Sequence, residues 1–308
     1  MATFDAPTSG LQRRSPSSSR NWARMVMTSG ISRQPLISII LPTLNCAHII
    51  DKALTSILTQ TFRDFEVILA DGGSADGTLN HAIQHLASAG VTVRAIISAG
   101  AGIYASMNEA LQLARGDWVY FIGSDDRLMA DDTLEQISGH LIKASQHVVH
   151  GDIWVERPGY VFGGAFPLSR LMLKNFSHQA AFYRLQTFRR HGLRLNEKYR
   201  IYADWDMNLR LSALGPFLYV PQVIASFGCD GLSANHSDAL FMADKEANVI
   251  DYYGWRAFLL LSLDRLALGC RCRPHPLKSS LFLISRIVRS PLHRLRRTMA
   301  GGQGRSAG

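Results

Sequence analysis

The sequence predicts an α/β fold: a Rossmann-like, mostly parallel central sheet with helices on both faces. Short, continuously apolar, β-branched runs alternate four times with segments of helical periodicity. This is the pattern of doubly wound sheets built with right-handed crossovers. Each of three runs also ends in a polar cluster, at the strand ends where such sheets bind ligands. The 308 residues, 47% of them hydrophobic, suffice for one large domain with appendages.

The first half of the chain supplies these elements in order. Residues 36–41 form the first predicted strand, an apolar run that Pro42 ends. Residues 47–60 follow with the spacing of an amphipathic helix. Further strands are predicted at residues 65–70, 91–98 and 118–122, and further helices at residues 76–89, 104–114 and 131–144. Gly90 and Gly116 end two of these helices.

The second half is less regular. We predict strands at residues 147–155 and 218–225 and helices at residues 185–191 and 204–213. Residues 251–308 combine apolar segments with arginines and predict a basic amphipathic helical tail that lies in a membrane interface. The longest uncharged apolar stretch there, residues 257–263, is well short of the ~18 residues of a membrane-spanning helix. Alternatively, residues 255–268 pack on the core and the rest is solvated.

Charge divides the chain into three parts. Residues 1–34 carry five arginines and one acid, and we predict a disordered basic arm without a secretory signal. From Arg265 to the end there are ten Lys/Arg and no acid, whereas the part between has 18 Lys/Arg and 23 Asp/Glu. We therefore expect the basic ends to meet an anionic surface, and we expect no nucleic-acid binding.

The cysteines indicate a reducing compartment. Cys46, Cys229, Cys270 and Cys272 are scattered and lack the spacing of a zinc site. We interpret all four as reduced thiols of a cytoplasmic protein.

Two polar clusters follow predicted strands and could bind a charged ligand. Asp125 and Asp126 are adjacent carboxylates, which repel each other unless a cation or a ligand's donors stabilise both. A hard divalent ion held by such carboxylates and by substrate phosphates would neutralise a leaving diphosphate. Asp71 stands in a glycine-rich turn and could accept from a base or a ribose. The alternatives are a solvated turn for the first cluster and a helix cap by Ser74 or Asp76 for the second.

Two further clusters lie on predicted helices. A glycine opens the helix that carries Asn108 towards the sheet edge, although an ordinary amphipathic helix explains the same pattern. In the segment from Tyr202 to Asp206, a carboxylate could serve as general base for a hydroxyl nucleophile, and Trp205 could stack on a sugar. Alternatively, Asp204 caps the helix and Trp205 belongs to the core.

Six motifs occur in one order: Pro42-Thr43-x-Asn45, Asp71-Gly72-Gly73-Ser74-x-Asp76-Gly77-Thr78, Gly102-Ile103-Tyr104-x-x-Met107-Asn108, Ser124-Asp125-Asp126, His178-Gln179 and Ala203-Asp204-Trp205-Asp206. This ordered set resembles family 2 of the inverting glycosyltransferases, which have the GT-A fold. Within the family it is most similar to small bacterial enzymes of exopolysaccharide (colanic-acid-like) and phenolic glycolipid biosynthesis. Similarity to the latter includes Gly163-Gly164-Ala165-Phe166 and Gly231-Leu232-Ser233, and the resemblance covers residues 36–235.

The resemblance implies a role for each matching residue. The donor-binding residues would be Pro42, Thr43, Asn45, Asp71, Ser74, Met107, Asn108, Ser124, Asp125 and Asp126. Asp126 would ligate Mg²⁺ or Mn²⁺, although the Asp-Asp pair leaves the full ligand set open. Asp204 would be the catalytic base, with Asp206 as its rival. The residues near the acceptor or the leaving diphosphate would be His178, Gln179, Trp205 and Asp206.

The resemblance also implies a reaction. A nucleotide-diphosphate-sugar would bind the half formed by residues 35–130, and residues 131–250 would bind an acceptor whose hydroxyl attacks the sugar with inversion. The acceptor would be a lipid-linked saccharide or a glycolipid, and the enzyme would be peripheral on the inner face of the plasma membrane.

Two other functions compete with sugar transfer. A nucleotidyltransferase usually has a glycine-rich basic loop after the first strand, but residues 43–48 contain no Gly, Arg or Lys. A non-catalytic nucleotide-sugar-binding module would not need both a carboxylate pair and a base.

Overall fold

A computed structural model describes residues 27–28 (backbone only), 34–228 and 237–254. Almost all of the predicted arm at residues 1–34 and nearly all of the predicted tail at residues 251–308 lie outside these residues. The similarity at residues 231–233 lies outside them too, as do Cys229, Cys270 and Cys272. Cys46 is a buried free thiol. Among the described residues, no helix is long and apolar enough to cross a bilayer.

The described strands, in chain order, are β1 Met27–Thr28, β2 Ile37–Thr43, β3 Phe65–Asp71, β4 Thr92–Ile97, β5 Trp118–Phe121, β6 Arg127–Leu128, β7 Val148–Val155, β8 Tyr160–Phe162, β9 Ala181–Arg184 and β10 Leu218–Phe227. The helices are α1 Asp51–Leu58, α2 Thr78–Ser88, α3 Ile103–Leu113, α4 Thr133–Lys143, α5 Leu168–Leu173, α6 Leu185–His191, α7 Ala203–Leu214 and α8 Ala239–Tyr253. A 3₁₀ turn, His178–Ala180, precedes β9.

The strands form one sheet in the order β1-β4-β3-β2-β5-β9-β7-β10-β6, with β8 added to β7. Strand β2 is parallel to β3 and β5, β3 is parallel to β4, and β10 is parallel to β7. Strand β9 is antiparallel to both β5 and β7, so β5 and β7 run the same way. Strands β2, β3, β4, β5, β7 and β10 therefore share one direction, and the predicted mostly parallel sheet is confirmed.

Apolar side chains project from both faces of this sheet and form a core on each face. Along β2, Ile37, Ile39 and Leu41 pack in one core together with apolar residues of α1, α2 and α4. Ile40 points the other way, into a core that includes residues of α3, α6, α7 and α8. Because parallel strands buried on both faces read as continuous apolar runs, the first-half strands were recognisable from sequence.

The structure corrects several boundaries. Helix α1 begins at Asp51 rather than at residue 47. The preceding turn is fixed by the next loop, since the N–H groups of Cys46 and Ala47 donate to the Thr78 hydroxyl (2.9 Å) and the Asp76 carboxylate (3.0 Å). Helix α8, Ala239–Tyr253, was not predicted.

A buried ion pair joins β3 to β4. Glu66 and Arg94 are 1% and 5% exposed, and Arg94 Nε donates to Glu66 Oε2 at 3.1 Å. The other Glu66 oxygen accepts from the Ser38 hydroxyl (2.6 Å) and from the Arg115 N–H (2.8 Å). The carboxylate therefore ties β2, β3, β4 and the loop before β5 together.

Removing the arginine of this pair leaves an uncompensated buried charge. We expect Arg94→Met to lower the free energy of unfolding by about 3–5 kcal/mol. Urea denaturation measures the change, and the exposed Arg63→Met is the control, expected within about 0.5 kcal/mol of wild type. Equal unfolding midpoints for the two variants would contradict the structural role.

Candidate active site

The loops after β2 and β3 are bound to each other through the Asp71 carboxylate. Asp71 Oδ1 accepts from the hydroxyls of Thr43 (2.8 Å) and Ser74 (2.6 Å). Its Oδ2 accepts from the backbone N–H groups of Gly73 (2.9 Å) and Ser74 (2.8 Å). Asn45, with a positive φ of 48°, completes the link: its N–H donates to the Ser74 hydroxyl at 2.9 Å. The sequence-predicted donor residues Thr43, Asn45, Asp71 and Ser74 thus form one network.

The network defines what Asp71 does in this structure. A carboxylate offers about four lone-pair sites, and four protein donors use them. Asp71 is also only 1% exposed. It braces the two loops, whereas its contact with a nucleotide base stays a prediction. Pro42 is the penultimate residue of β2 and lies next to Thr43.

Asp126 lies one turn after β5 and immediately before β6. Its Oδ2 accepts from the Gly123 N–H (3.1 Å) and the Gln179 amide (2.7 Å), and its Oδ1 accepts from the Gly228 N–H (3.1 Å). The antiparallel pairing of β6 with β10 brings Gly228 there, because Ser226 pairs with Arg127. Burial, followed by the charge of Asp125, raises the pKa of Asp126 to about 6. Ser124 and Asp125 are half-buried beside it.

This carboxylate fits a divalent cation with few protein ligands. Three hydrogen bonds leave about one lone-pair direction of Asp126 open. A bound cation would favour its ionised form, which burial disfavours. Within the described residues, no three His, Cys, Asp or Glu side chains are grouped as a metal cage. Asp126 could hold an ion of the kind that takes one or two carboxylates and substrate phosphates as ligands.

Asp204, the predicted base, lies on the first turn of α7. Its Oδ2 accepts from the Asn175 amide at 2.9 Å and lies 3.4 Å from His178 Nδ1. The Asp204 side chain keeps 14% of its surface exposed. Burial opposes protonation of His178, but Asp204, Asp126 and Asp125 outweigh it, so the His178 pKa is raised. His178 and its neighbour Gln179 thus contact the predicted base and the predicted metal ligand, respectively.

Two residues without a predicted role hold the start of α7. The Tyr104 hydroxyl donates to the Ile201 carbonyl. The Asp238 carboxylate accepts from the Ile201 N–H (2.9 Å) and the Tyr202 N–H (3.4 Å), and it also caps α8 by accepting from the Phe241 N–H (3.1 Å). Tyr104 belonged to a quoted motif, but no pattern in the sequence connected Asp238 to Asp204. Asn175 was missed as well, although it lies in the polar segment that includes His178.

Four predicted site residues lie apart from these carboxylates. Met107 is core, and the Asn108 side chain exchanges two hydrogen bonds with the Leu195 backbone (2.8 and 2.9 Å). Trp205 is 7% exposed and donates to the Leu171 carbonyl at 2.7 Å, so no face is open for stacking. Asp206 is fully buried, and its Oδ2 lies 2.8 Å from Arg210 Nη2. Its Oδ1 accepts from side chains of α8, so it joins α7 to α8 instead of lying beside Asp204.

Sequence comparison identifies the family of this chain. The model of the family described as Glycosyl transferase family 2 matches residues 38–198. The chain belongs to this family. The matched residues include every predicted donor residue and the pair His178-Gln179.

The glycosyltransferase has close relatives. A PGL/p-HBAD biosynthesis glycosyltransferase of Mycobacterium tuberculosis is 39% identical over 216 residues, which cover 68% of this chain and 83% of that protein. A chondroitin synthase of Escherichia coli is 30% identical over 208 residues, covering 64% of this chain and 29% of that protein. The protein is therefore a glycosyltransferase related to glycolipid and polysaccharide enzymes.

Solved structures share the fold of this glycosyltransferase. S. aureus TarS 1–349 in complex with UDP-GlcNAc aligns with a TM-score of 0.61 at 17% identity, covering 82% of this chain and 79% of that chain. The mannosyltransferase PcManGT of Pyrobaculum calidifontis, in complex with GDP-Man and Mn²⁺, aligns with a TM-score of 0.53 at 17% identity, covering 87% of this chain and 84% of that chain. The expected GT-A fold is confirmed.

The raised pKa of Asp126 has a consequence for stability. The folded protein holds this proton more tightly than the unfolded chain, so the stabilisation is present below about pH 4 and is lost as the pH rises through about 6. In EDTA, we expect the free energy of unfolding of Asp126→Asn to fall between pH 4 and pH 8 by about 1–3 kcal/mol less than that of wild type. Urea denaturation at several pH values measures this, and the exposed Asp132→Asn is the control. Parallel curves for wild type and Asp126→Asn would contradict the assignment.

Proposed function

We propose that the protein is an inverting glycosyltransferase that moves a sugar from a nucleotide-diphosphate-sugar to an acceptor hydroxyl. Asp204 is the general base and Asp126 the ligand of Mg²⁺ or Mn²⁺. Residues 35–130 form the donor half and residues 131–250 the acceptor half. Family membership supports the sugar transfer, and the side-chain geometry supports the two roles.

One observation carries the proposal. His178 and Gln179 are consecutive, and each contacts one of the two carboxylates. His178 Nδ1 lies 3.4 Å from Asp204 Oδ2, and the Gln179 amide donates to Asp126 Oδ2 at 2.7 Å. The Tyr120 hydroxyl fixes this turn by donating to the Gln179 carbonyl at 2.9 Å. The proposed base and the proposed metal ligand therefore contact the same short turn, which supports their relative positioning for a single displacement.

On the donor side, the loops after β2, β3 and β5 meet at the carboxyl ends of parallel strands, where such sheets bind nucleotides. A divalent cation at Asp126 would supply charge neutralisation for the leaving diphosphate. Burial opposes protonation of His178, but the neighbouring carboxylates raise its pKa, and when protonated the ring would add a positive charge beside Asp204. Preorganised charge of this kind stabilises the transition state without reorganisation.

On the acceptor side, Asp204 removes the proton of the attacking hydroxyl. The acceptor oxygen forms the new bond to the anomeric carbon as the bond to the diphosphate breaks on the opposite face. One displacement of this type inverts the anomeric configuration. Asn175, which donates to Asp204 Oδ2, holds the carboxylate in the orientation that the transfer needs.

We propose a glycolipid or lipid-linked saccharide as acceptor, in glycolipid or exopolysaccharide assembly at the inner face of the plasma membrane. Support comes from the relative named for PGL/p-HBAD biosynthesis, which the chain matches over 83% of its length. A non-catalytic nucleotide-sugar-binding module is the competing function, and it predicts binding without turnover.

Donor turnover tests the proposal. The protein is incubated with UDP-, GDP- and TDP-sugars and Mn²⁺, and release of the nucleoside diphosphate is followed. We expect release from one donor class, lost with EDTA and in Asp126→Asn, and retained in Asp132→Asn. Binding of a donor without any release would establish the non-catalytic module, and no binding of any donor would refute the donor site.

The base is tested separately. We expect Asp204→Asn to lower kcat by about 10²–10⁴-fold, since a positioned base contributes that much, while donor affinity stays close to wild type. Steady-state kinetics with a simple alcohol or the natural acceptor give kcat, and calorimetric titration gives donor affinity. A variant with unchanged kcat would exclude Asp204 as the base.

A further inference from the structure

Exposed apolar side chains are concentrated beside the acceptor half. Among the described residues, nine large apolar side chains are exposed. Three of them, Tyr160 (46%), Val161 (52%) and Leu173 (50%), lie on β8 and at the end of α5. Contiguous exposed apolar surface is typical of sites that contact another protein or a membrane.

Cation–π contacts join the two elements into one surface. The Lys174 ammonium lies 4.2 Å from the centroid of the Phe162 ring, which connects the end of α5 to β8. The Arg170 guanidinium lies 3.9 Å from the centroid of the Phe166 ring. We call residues 157–174, from the β7–β8 turn to the end of α5, the hairpin–helix surface.

Residues 157–174 themselves carry only positive charges. The two acids in and directly after the neighbouring strand β7 are engaged by other groups: Asp152 accepts from the Gly164 N–H at 2.6 Å, and Glu156 lies 3.4 Å from Arg127 Nε. Residues 157–174 contain Arg157, Arg170 and Lys174 and no Asp or Glu, and the acid-free stretch continues to residue 196. This contrasts with the part of the chain between Arg33 and Arg265, where acids outnumber bases by 23 to 18. Arg157 and Lys174 are exposed.

Helix α8 extends the same side of the molecule. Lys245 donates to the Met172 carbonyl at 3.1 Å, which places the first turns of α8 beside α5. Met242, one turn before Lys245, is 47% exposed, and Leu240 is 50% exposed. Five of the nine exposed apolar side chains thus lie on β8, α5 and the start of α8.

We propose that the hairpin–helix surface is a contact surface for an anionic lipid bilayer. Exposed apolar side chains enter the interface, and the flanking cations meet acidic headgroups. The surface leads directly into the site, because Lys174 is followed by Asn175, which donates to Asp204 at 2.9 Å. Resting on it, the protein would present Asp204 to the headgroup of a membrane-embedded acceptor, a step that depends on the proposed function.

A bilayer fits better than the other occupants. A second copy of the chain would bring three cations against three cations, which like-charge repulsion opposes. Residues 255–308 are themselves basic, with eleven Lys/Arg and one acid, so they lack charge complementarity to the surface as well.

Vesicle binding of the full-length protein tests the proposal. Flotation with phosphatidylcholine vesicles, with and without phosphatidylglycerol, gives the apparent dissociation constant. The variants are Val161→Ser with Leu173→Ser, and Lys174→Glu. The matched control is Ile142→Ser on α4, an exposed apolar side chain (70%) on another element. Donor turnover without vesicles is measured for every variant, because it reports the proposed function independently of lipid.

We expect wild type to bind the anionic vesicles and the double variant to bind about tenfold more weakly, since two apolar side chains leave the interface. Lys174→Glu should bind anionic vesicles about fivefold or more weakly than wild type, without a change on phosphatidylcholine vesicles. Ile142→Ser should bind like wild type, and all variants should keep donor turnover. Absence of wild-type binding, equal losses in the control, or wild-type binding by both surface variants would each overturn the proposal. A failure of donor turnover in wild type would refute the proposed function instead.

Discussion

The site depends on keeping several carboxylates of like charge close together inside a folded protein. Asp126 follows strand β5 and Asp204 lies on helix α7, and burial penalises their charges unless donors compensate. The segment of residues 175–179 supplies side-chain contacts to both. Asn175 and His178 serve Asp204, whereas Gln179 serves Asp126. Its own position is fixed in turn, because the Asn208 amide donates to Asn175 at 2.9 Å and the Tyr120 hydroxyl to Gln179 at 2.9 Å.

The two halves of the site are stabilised in different ways. Around Asp71, four protein donors satisfy the carboxylate, and these hydrogen bonds hold the loops after β2 and β3 together. Around Asp126 the compensation is incomplete, as its raised pKa indicates. An unfavourable charge retained in the free protein is typical of sites in which the ligand supplies the missing interaction. The carboxylate of Asp71 is thus satisfied by the protein alone, whereas that of Asp126 is the one to which the proposed cation would bind.

Most of the first half could be predicted from the sequence, because its strands are buried on both faces and its polar clusters follow them. The second half was harder for physical reasons. Helix α6 was predicted at its observed bounds, but the four residues of β9 directly before it are too few for a strand pattern to be recognised. Residue type did not predict the contacts of Trp205, Asp206 and Asn108: these side chains satisfy buried backbone and helix contacts, and their roles towards a ligand stay predictions. Whether a polar side chain serves the core or a ligand is decided by tertiary partners, which a single sequence does not reveal.

The insertion of β9 between β5 and β7 has a consequence for synthesis of the chain. Strand β5, whose four residues are all buried, pairs with β2 on one side and with β9 on the other. As the chain leaves the ribosome, β5 precedes its second neighbour by about sixty residues, so this apolar edge stays open until β9 emerges. An open edge of this kind is a template for pairing with another chain. The order of strands in the sheet thus leaves the nascent chain with an unpaired apolar strand edge until residues 181–184 have been synthesised.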